Sequence, residues 1–470
     1  MREFDYILNE IHEECGVFGI FNVENAAQLA YYGLHSLQHR GQQGAGIATS
    51  DNGHILRHRG SGLVIEIFNS ENISELKGNM AIGHVRMGDH KAPGIENIQP
   101  LLVRSHLGDF TVAHNGRIVN GDQLRMQLEF EGSIFQSSSD SEILCHLIQK
   151  ESGTFTEKLT KAVSKLEGAF SFVVMTGSTI YAIRDKNGLH PLSMAELGDG
   201  YVISSETVAF ETLGAKFLRS VRPGEIVKIN KEEGLQSIFY TNCTQDKMCS
   251  MEFIYFSRPD STINGLNVHT SRRICGRILA EESPCPEADM VIGVPDSSLS
   301  AAVGYADGSG LPYETGLIKN RYIGRTFIQP TQKERERGVK MKLSPMSSVI
   351  AGKKIVLVDD SIVRGTTSKY IIKLLKEAGA KEVHVRIASP TMIAPCFYGV
   401  DTSSLKDLIS ARMNLEELRE YIAADSLAFL SVEGLRKGLG DNICAACFDK
   451  KYPTYLFGLD KKFKEEKEGK

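Results

Sequence analysis

Two hydrophobic rhythms run along this chain. From residue 267 onward, stretches with helical spacing of apolar side chains alternate with short unbroken apolar runs: 267–280 helical, 290–294 extended, 298–306 helical, 355–358 extended, 368–378 helical and 382–388 extended. The run Ile355-Val356-Leu357-Val358 has the length and β-branched content of a strand buried on both faces, as strands of parallel sheets are. Such alternation predicts an α/β unit with a mainly parallel sheet.

Upstream the rhythm is different. CGVFGIF at 15–21, AFSFVVMT at 169–176 and TIYAIRD at 179–185 read as strands, while 25–38 has helical spacing through Leu29, Tyr32, Leu34 and Leu37 and ends in HRGQQGAG. GHVR at 83–86 closes a strand with an arginine, AHNG at 113–116 closes another with an amide and a glycine, and SSSDSE at 137–142 caps a helix with acid. The polar segment between Val227 and Cys249 reads as the connection between two domains.

Composition narrows the class without naming it. At 470 residues the chain has room for two or three domains of about 150 residues. Its 41% hydrophobic and 24% charged content is that of a globular protein, and a net charge of −4 gives no basic field for nucleic acid. No apolar run approaches the roughly 20 residues that span a membrane, and the acidic start, MREFDYILNEIHEE, has no apolar core of a secretory signal. A cytoplasmic location is expected. Nine cysteines then point to catalysis or metal binding for some and buried packing for the rest, rather than to disulfides.

The sharpest chemistry lies at 353–367, KKIVLVDDSIVRGTT. Asp359 and Asp360 sit where the strand ends, and Ser361, Arg364, Gly365, Thr366 and Thr367 lead into a helix. Backbone N–H groups at such a turn hold an anion. The two carboxylates make sense beside that anion if they accept hydrogen bonds from vicinal sugar hydroxyls, so the implied ligand is a ribose phosphate. Asp296, Ser297 and Ser298 form a second small-residue turn before a helix, also at the carboxyl end of a strand, where parallel sheets bind ligands. Between Lys319 and Lys342 stand eight basic residues against Glu334 and Glu336; a solvated face is the ordinary reading, a lid over a pyrophosphate the preferred one.

VLVDDSIVRGTT resembles the phosphoribosyl pyrophosphate (PRPP) signature of type I phosphoribosyltransferases. ECGVFGI, LQHRGQQGAGI, GHVR, AHNG and SSSDSE together resemble a class II glutamine amidotransferase, an N-terminal-nucleophile (Ntn) hydrolase with an αββα fold. Both resemblances in one chain, from Cys15 to about Tyr455, match the family of glutamine PRPP amidotransferases, in its iron–sulfur subgroup with a propeptide. The resemblance implies a propeptide at 1–14, a glutaminase domain at 15–240, a phosphoribosyltransferase domain with cluster ligands at 241–455 and a tail at 456–470. It implies that Cys15 attacks the carboxamide of glutamine, that Asn115 and the Gly116 N–H hold the oxyanion, that Arg86 takes the substrate carboxylate and Asp140 its ammonium, and that Arg40 and Gly41 line the pocket. An ion pair between Arg86 and Asp140 that merely supports the fold is the competing reading. Asp359, Asp360, Ser361, Arg364, Gly365, Thr366, Thr367, Asp296 and Ser297 would bind PRPP, with Mg²⁺ held mostly by substrate and helped by Ser297, Asp359 and Asp360.

In this family the cysteine's own α-amine is the base. With a pKa of about 7.7 to 8.0 it is partly neutral at pH 7, whereas a lysine near 10.4 is not. Here that amine is joined to Glu14, so removal of 1–14 is expected. The family implies a homotetramer inhibited by purine nucleotides. It also implies a [4Fe–4S] cluster on Cys249, Cys396, Cys444 and Cys447; four thiolates are the right count, and a Cys₄ zinc site uses the same ligands. Cys145, Cys243, Cys275 and Cys285 read as structural or incidental. After GHVR the sequence departs from the family pattern, reading Met87, Gly88, Asp89, His90, which puts the glutamine lid in question. A PRPP-responsive regulator would not need Cys15, Asn115 and Gly116, and another class of amidotransferase would lack VLVDDSIVRGTT. A catalytically silent homologue is the remaining alternative.

Overall fold

The computed structural model describes residues 15–87, 94–105, 108–320, 343–400, 402 and 408–460. The expected propeptide, Gly88 to His90, the basic stretch beyond Asn320 up to Lys342, and the tail after Asp460 lie outside the described residues.

The first half is two antiparallel sheets face to face. Strand Gly16–Phe21 runs between Gly200–Ser204 and Met80–Arg86 in a seven-stranded sheet. All six of its residues are buried, because both faces are covered. Val17 and Phe21 join Ile82, Ala113 and Val173 between the sheets, while Phe18 and Ile20 meet Ala26, Ala30 and Leu34 of helix Ala26–Ser36 on the outer side. The six-stranded partner sheet contains Phe110–Ile118 paired with Gly168–Thr176, and helices Asp140–Lys150 and Phe155–Val163 cover its outer face. Helix, sheet, sheet and helix form four layers, the αββα arrangement expected of an Ntn hydrolase.

The second half centres on four parallel strands in the order Met290–Gly293, Lys354–Asp359, Glu382–Ile387, Ser426–Phe429. Alternation explains its central strand: Val356 and Val358 enter one core, Ile355 and Leu357 the other. Helices Val268–Glu282 and Leu299–Ser309 pack on the first face, and Thr366–Glu377 on the second. That last helix begins two residues earlier than the apolar spacing predicts, since Gly365, at φ +74°, turns the chain and Thr366 is already helical. No helix among the described residues is long and apolar enough to cross a membrane.

The polar segment after Val227 is only partly a connection. Glu225–Asn230 and Gly234–Phe239 pair as an antiparallel hairpin at the edge of the six-stranded sheet. The outer strand looks polar because it is partly exposed, so periodicity mistook an edge strand for a linker.

Candidate active sites

Cys15 stands immediately before strand Gly16–Phe21, buried and in the left-handed region at φ +52°. The register that pairs Gly16 with Val85 sets it at the same end as Arg86. Its thiol donates to the Met87 carbonyl at 3.7 Å, and its own carbonyl accepts from Arg40 Nε at 3.2 Å. Gly41 crosses this end in an extended conformation; a Cβ there would stand 2.6 Å from the backbone of Val85 and Arg86.

Asn115 projects from the facing sheet on strand Phe110–Ile118. It is fully buried, and neither its Oδ1 nor its Nδ2 has a hydrogen-bond partner among the described residues. An orphan buried amide costs about 1–3 kcal/mol, and a side chain left so has donor capacity open to a ligand. Gly116 follows at φ +121°, where a Cβ would lie 2.2 Å from the Ala169 carbonyl and 2.9 Å from His190. Only glycine fits there.

Asp140 opens helix Asp140–Lys150 and accepts the Ile118 N–H at 2.8 Å, which ties it to the strand carrying Asn115. Burial raises its carboxyl above the usual range, against the pull of that N–H and of Arg117. Arg86 donates to the Gly94 carbonyl at 3.5 Å, and Asn97 in the following turn accepts from both N and Oγ of Ser138 at 3.0 and 3.1 Å. The 94–97 turn thereby joins the arginine end to the Asp140 end. Arg86 and Asp140 form no ion pair with one another.

Arg40, whose Nε reaches the Cys15 carbonyl, stands next to the cysteine. Its side chain has no exposure, and its guanidinium is gripped by Glu206 at 2.6 Å and by both oxygens of Glu252 at 2.9 and 3.1 Å. Burial alone would raise the Glu206 carboxyl, but His39, Arg40 and Ser261 outweigh it and hold it at about 2. Glu206 and Glu252 gave no sequence signal, because each is an isolated carboxylate whose partner lies far away along the chain.

At the carboxyl end of the parallel sheet, Asp359, Asp360, Ser361, Arg364, Gly365, Thr366 and Thr367 line an open cleft together with Ser297 and Tyr255. Asp359 and Asp360 are both largely buried. Ser297 Oγ donates to Asp360 Oδ2 and Ser361 Oγ to Asp360 Oδ1, so the two small-residue turns meet at one carboxylate. Asp296, whose peptide bond to Pro295 is cis, faces Lys319 Nζ at 3.5 Å. Helix Thr366–Glu377 points its N-terminus into the cleft, offering N–H groups and dipole to an anion.

Cys249 and Cys444 are register partners in a short parallel pair of strands, Met248–Cys249 and Ile443–Cys444. With Cys396 and Cys447 they line one cavity, closed by Met251, Met392, Tyr398 and Tyr452. None of the four is in a disulfide. Burial raises the Cys249 and Cys447 thiols far above the ordinary range, and neighbouring cysteines add to it. Four converging thiols that repel one another when ionised form a donor set suited to a cationic metal centre. Of the remaining cysteines, Cys145, Cys275 and Cys285 are buried and Cys243 is exposed.

Comparison with known proteins agrees with both halves. A glutamine amidotransferase domain family matches residues 92–212, and a phosphoribosyl transferase domain family matches 267–389. The chain is 54% identical to the amidophosphoribosyltransferase of Bacillus subtilis (strain 168), over 95% of each chain. It is 49% identical to that of Staphylococcus aureus (strain MRSA252), over 97% of this chain and 94% of the relative. The B. subtilis glutamine PRPP amidotransferase, solved in complex with ADP and GMP, superposes with a TM-score of 0.90 at 54% identity, covering 94% of this chain and 98% of that one. A structure described as the allosteric regulatory enzyme of purine biosynthesis gives 0.91 at 53% identity, over 94% and 97%.

Proposed function

This chain belongs to the amidophosphoribosyltransferase family, and from that premise we propose how its two sites divide the reaction. The enzyme takes glutamine, PRPP and water to 5-phosphoribosylamine, pyrophosphate and glutamate, the first step of purine biosynthesis. The observation that carries the assignment of roles is the presence, in one chain, of a buried cysteine at the end of one sheet, an Asn115 amide on the facing sheet with no partner among the described residues, and an acidic phosphate turn.

Removal of residues 1–14 frees the α-amine of Cys15. That amine takes the thiol proton, and Sγ attacks the glutamine carboxamide. The oxyanion that develops is held by Asn115 Nδ2 and the Gly116 N–H. Arg86 binds the substrate carboxylate as a planar fork and Asp140 its ammonium. Ammonia leaves as the thioester forms, carrying the proton returned by the amine, and water then hydrolyses the thioester to glutamate. At the second site the 361–367 turn holds the 5-phosphate, Asp359 and Asp360 accept from the ribose hydroxyls, and Asp296 and Ser297 face the pyrophosphate. Ammonia displaces that pyrophosphate from C1. Passage between the sites without contact with bulk water keeps ammonia neutral and nucleophilic.

Two inorganic groups fit these residues. Ser297, Asp359 and Asp360 would hold Mg²⁺, which when bound neutralises charge on the leaving pyrophosphate. Cys249, Cys396, Cys444 and Cys447 would hold a [4Fe–4S] cluster, which when bound ties the 249, 396 and 444–447 segments together. The domains divide at about residue 240 and the C-terminal tail follows residue 455. Purine nucleotides inhibit, in keeping with the ADP and GMP bound to the B. subtilis relative; a homotetramer and a cytoplasmic location complete the reading. The test is glutamate release by anaerobically purified protein, with and without PRPP and Mg²⁺, beside Cys15→Ala. Release that requires Cys15 and rises with PRPP supports the assignment; release indifferent to PRPP overturns the coupling of the halves, and intact mass retaining residues 1–14 in active enzyme overturns the propeptide.

A further inference from the structure

A buried line of charge-assisted hydrogen bonds runs between the two sites through Glu252 and Arg272, which neither site assignment includes. It starts at the Cys15 carbonyl, which accepts from Arg40 Nε at 3.2 Å. The Arg40 fork then grips both carboxylate oxygens of Glu252, from the other half of the molecule, at 2.9 and 3.1 Å. Glu252 opens a single π-helical turn, Glu252–Phe256, and also accepts from Ser257 Oγ at 2.6 Å. Arg272, from helix Val268–Glu282, holds the far side of that turn: Nε donates to the Phe253 carbonyl at 2.6 Å and one terminal nitrogen to the Ser257 carbonyl at 2.8 Å. Its other terminal nitrogen donates to the Ser297 carbonyl at 3.4 Å, and Ser297 Oγ donates to Asp360. Tyr255, on the same turn, lines the PRPP cleft.

We propose that Glu252 is a positioning residue that couples the sites: it transmits the state of the PRPP cleft, through the 252–256 turn and Arg40, to the backbone of Cys15. The inference rests on the site assignments above and adds the connection between them. Its physical basis is the environment. Arg40, Glu206 and Glu252 are all about 0–1% exposed, and buried ion pairs are often no more stabilising than the apolar residues that could replace them. Stability alone therefore gives little reason to place three charges here. What such a network does provide is fixed direction, because a forked guanidinium between two carboxylates tolerates few geometries. A π-turn, with its looser hydrogen bonding, is a segment able to shift register. Movement of Ser297 or Asp360 when PRPP binds reaches the turn through Arg272, and movement of the turn reaches Cys15 through Glu252.

Glu252→Gln tests this with little collateral damage, since Arg40 keeps Glu206 and no unpaired buried charge is created. Three rates are read on the full, cluster-loaded enzyme: glutamine hydrolysis without PRPP, the same with PRPP, and phosphoribosylamine formation from ammonia. The expected result is an unstimulated hydrolysis and an ammonia-dependent rate each within about twofold of the parent, with stimulation by PRPP reduced about tenfold, inside the roughly 5- to 150-fold range of such couplings. The KM for glutamine in the presence of PRPP rises, and Glu252→Asp, which keeps the charge, restores part of the stimulation. Unchanged stimulation in Glu252→Gln overturns the proposal, as does a parallel fall of all three rates, which marks a structural role alone. If the variant does not fold, Arg272→Lys, which cannot bridge three carbonyls, is read in the same assay, and unchanged stimulation there is equally fatal. Failure of the underlying site assignments is seen separately, as absence of PRPP stimulation in the parent enzyme.

Discussion

The two sites are assembled in opposite ways. At the proposed PRPP cleft, one continuous stretch from Asp359 to Thr367 supplies carboxylates, hydroxyls and the helix N-terminus, and Tyr255 and Ser297 with its neighbours come from elsewhere. At the proposed glutamine site Cys15, Arg86, Asn115 and Asp140 come from four separate parts of two facing sheets and a covering helix. A contiguous site depends on one strand-turn-helix being formed; a distributed one depends on the register of every element that contributes. The glutamine site should therefore respond to more distant changes, while the two activities remain separable by direct ones.

The largest effect expected is at the nucleophile. Cys15→Ala removes glutamine hydrolysis to background but leaves phosphoribosylamine formation from ammonia near the parent rate, since the parallel-sheet half does not use the thiol. Parallel assays with glutamine and with ammonium chloride measure both; loss of the ammonia route would contradict the separation. Next comes Asn115→Ala, which deletes one proposed oxyanion donor and should lower kcat for glutamine by about 10²–10³. The ammonia route again stays intact. A fall of less than fivefold would mean that the unpartnered amide has another purpose.

Contiguity also governed what the sequence disclosed. The turn at 359–367 and the unbroken run before it could be read directly, because a strand end, two carboxylates and a helix start occupy neighbouring positions. Strand Gly16–Phe21 was equally plain, although its double burial comes from an antiparallel sandwich. Partners that meet only after folding were hidden. Nothing about Glu206 or Glu252 in the sequence distinguishes them from surface carboxylates, and the resemblance that set Arg40 in the pocket said nothing of the two carboxylates that grip it. The edge hairpin through Gly234–Phe239 was missed because exposure erased its apolar alternation.

Acid provides a smaller effect that separates the halves. Burial pushes the His84 imidazole down to about 3 and His114 well below its ordinary value, and Glu206 is held at about 2. An unfolded histidine ionises near pH 6.5 and a glutamate near 4.3. Stability from the neutral imidazoles is thus complete above about pH 6.5 and declines as pH falls towards their folded values, and that from Glu206 declines below about 4.3. All three belong to the glutaminase half. Differential scanning calorimetry from pH 7 to 4 should show a transition that moves to lower temperature, with glutamine-dependent activity failing before the ammonia-dependent one. Simultaneous failure would mean that the halves unfold as one unit.

The smallest effect compares two helix caps. Ser139 Oγ accepts the Ser141 N–H at 3.3 Å and starts the helix that holds Asp140, whereas Asn414 accepts from Glu416 and Glu417, both at 3.0 Å, on helix Leu415–Ile422 of the parallel-sheet half. Either cap replaced by alanine costs about 1 kcal/mol of stability, so the two variants should have similar denaturant midpoints. Their kinetics should differ. Fraying at Ser139 loosens Asp140 against the Ile118 N–H and raises the KM for glutamine severalfold with kcat retained, because a substrate ammonium is bound alike in ground and transition states. Asn414→Ala leaves that KM alone, since its helix packs through Leu418 and Ile422 on the core of the parallel sheet. Equal KM values for the two variants would show that Asp140 is placed by its strand partner and not by its helix, and that the distributed site is more rigid than its construction implies.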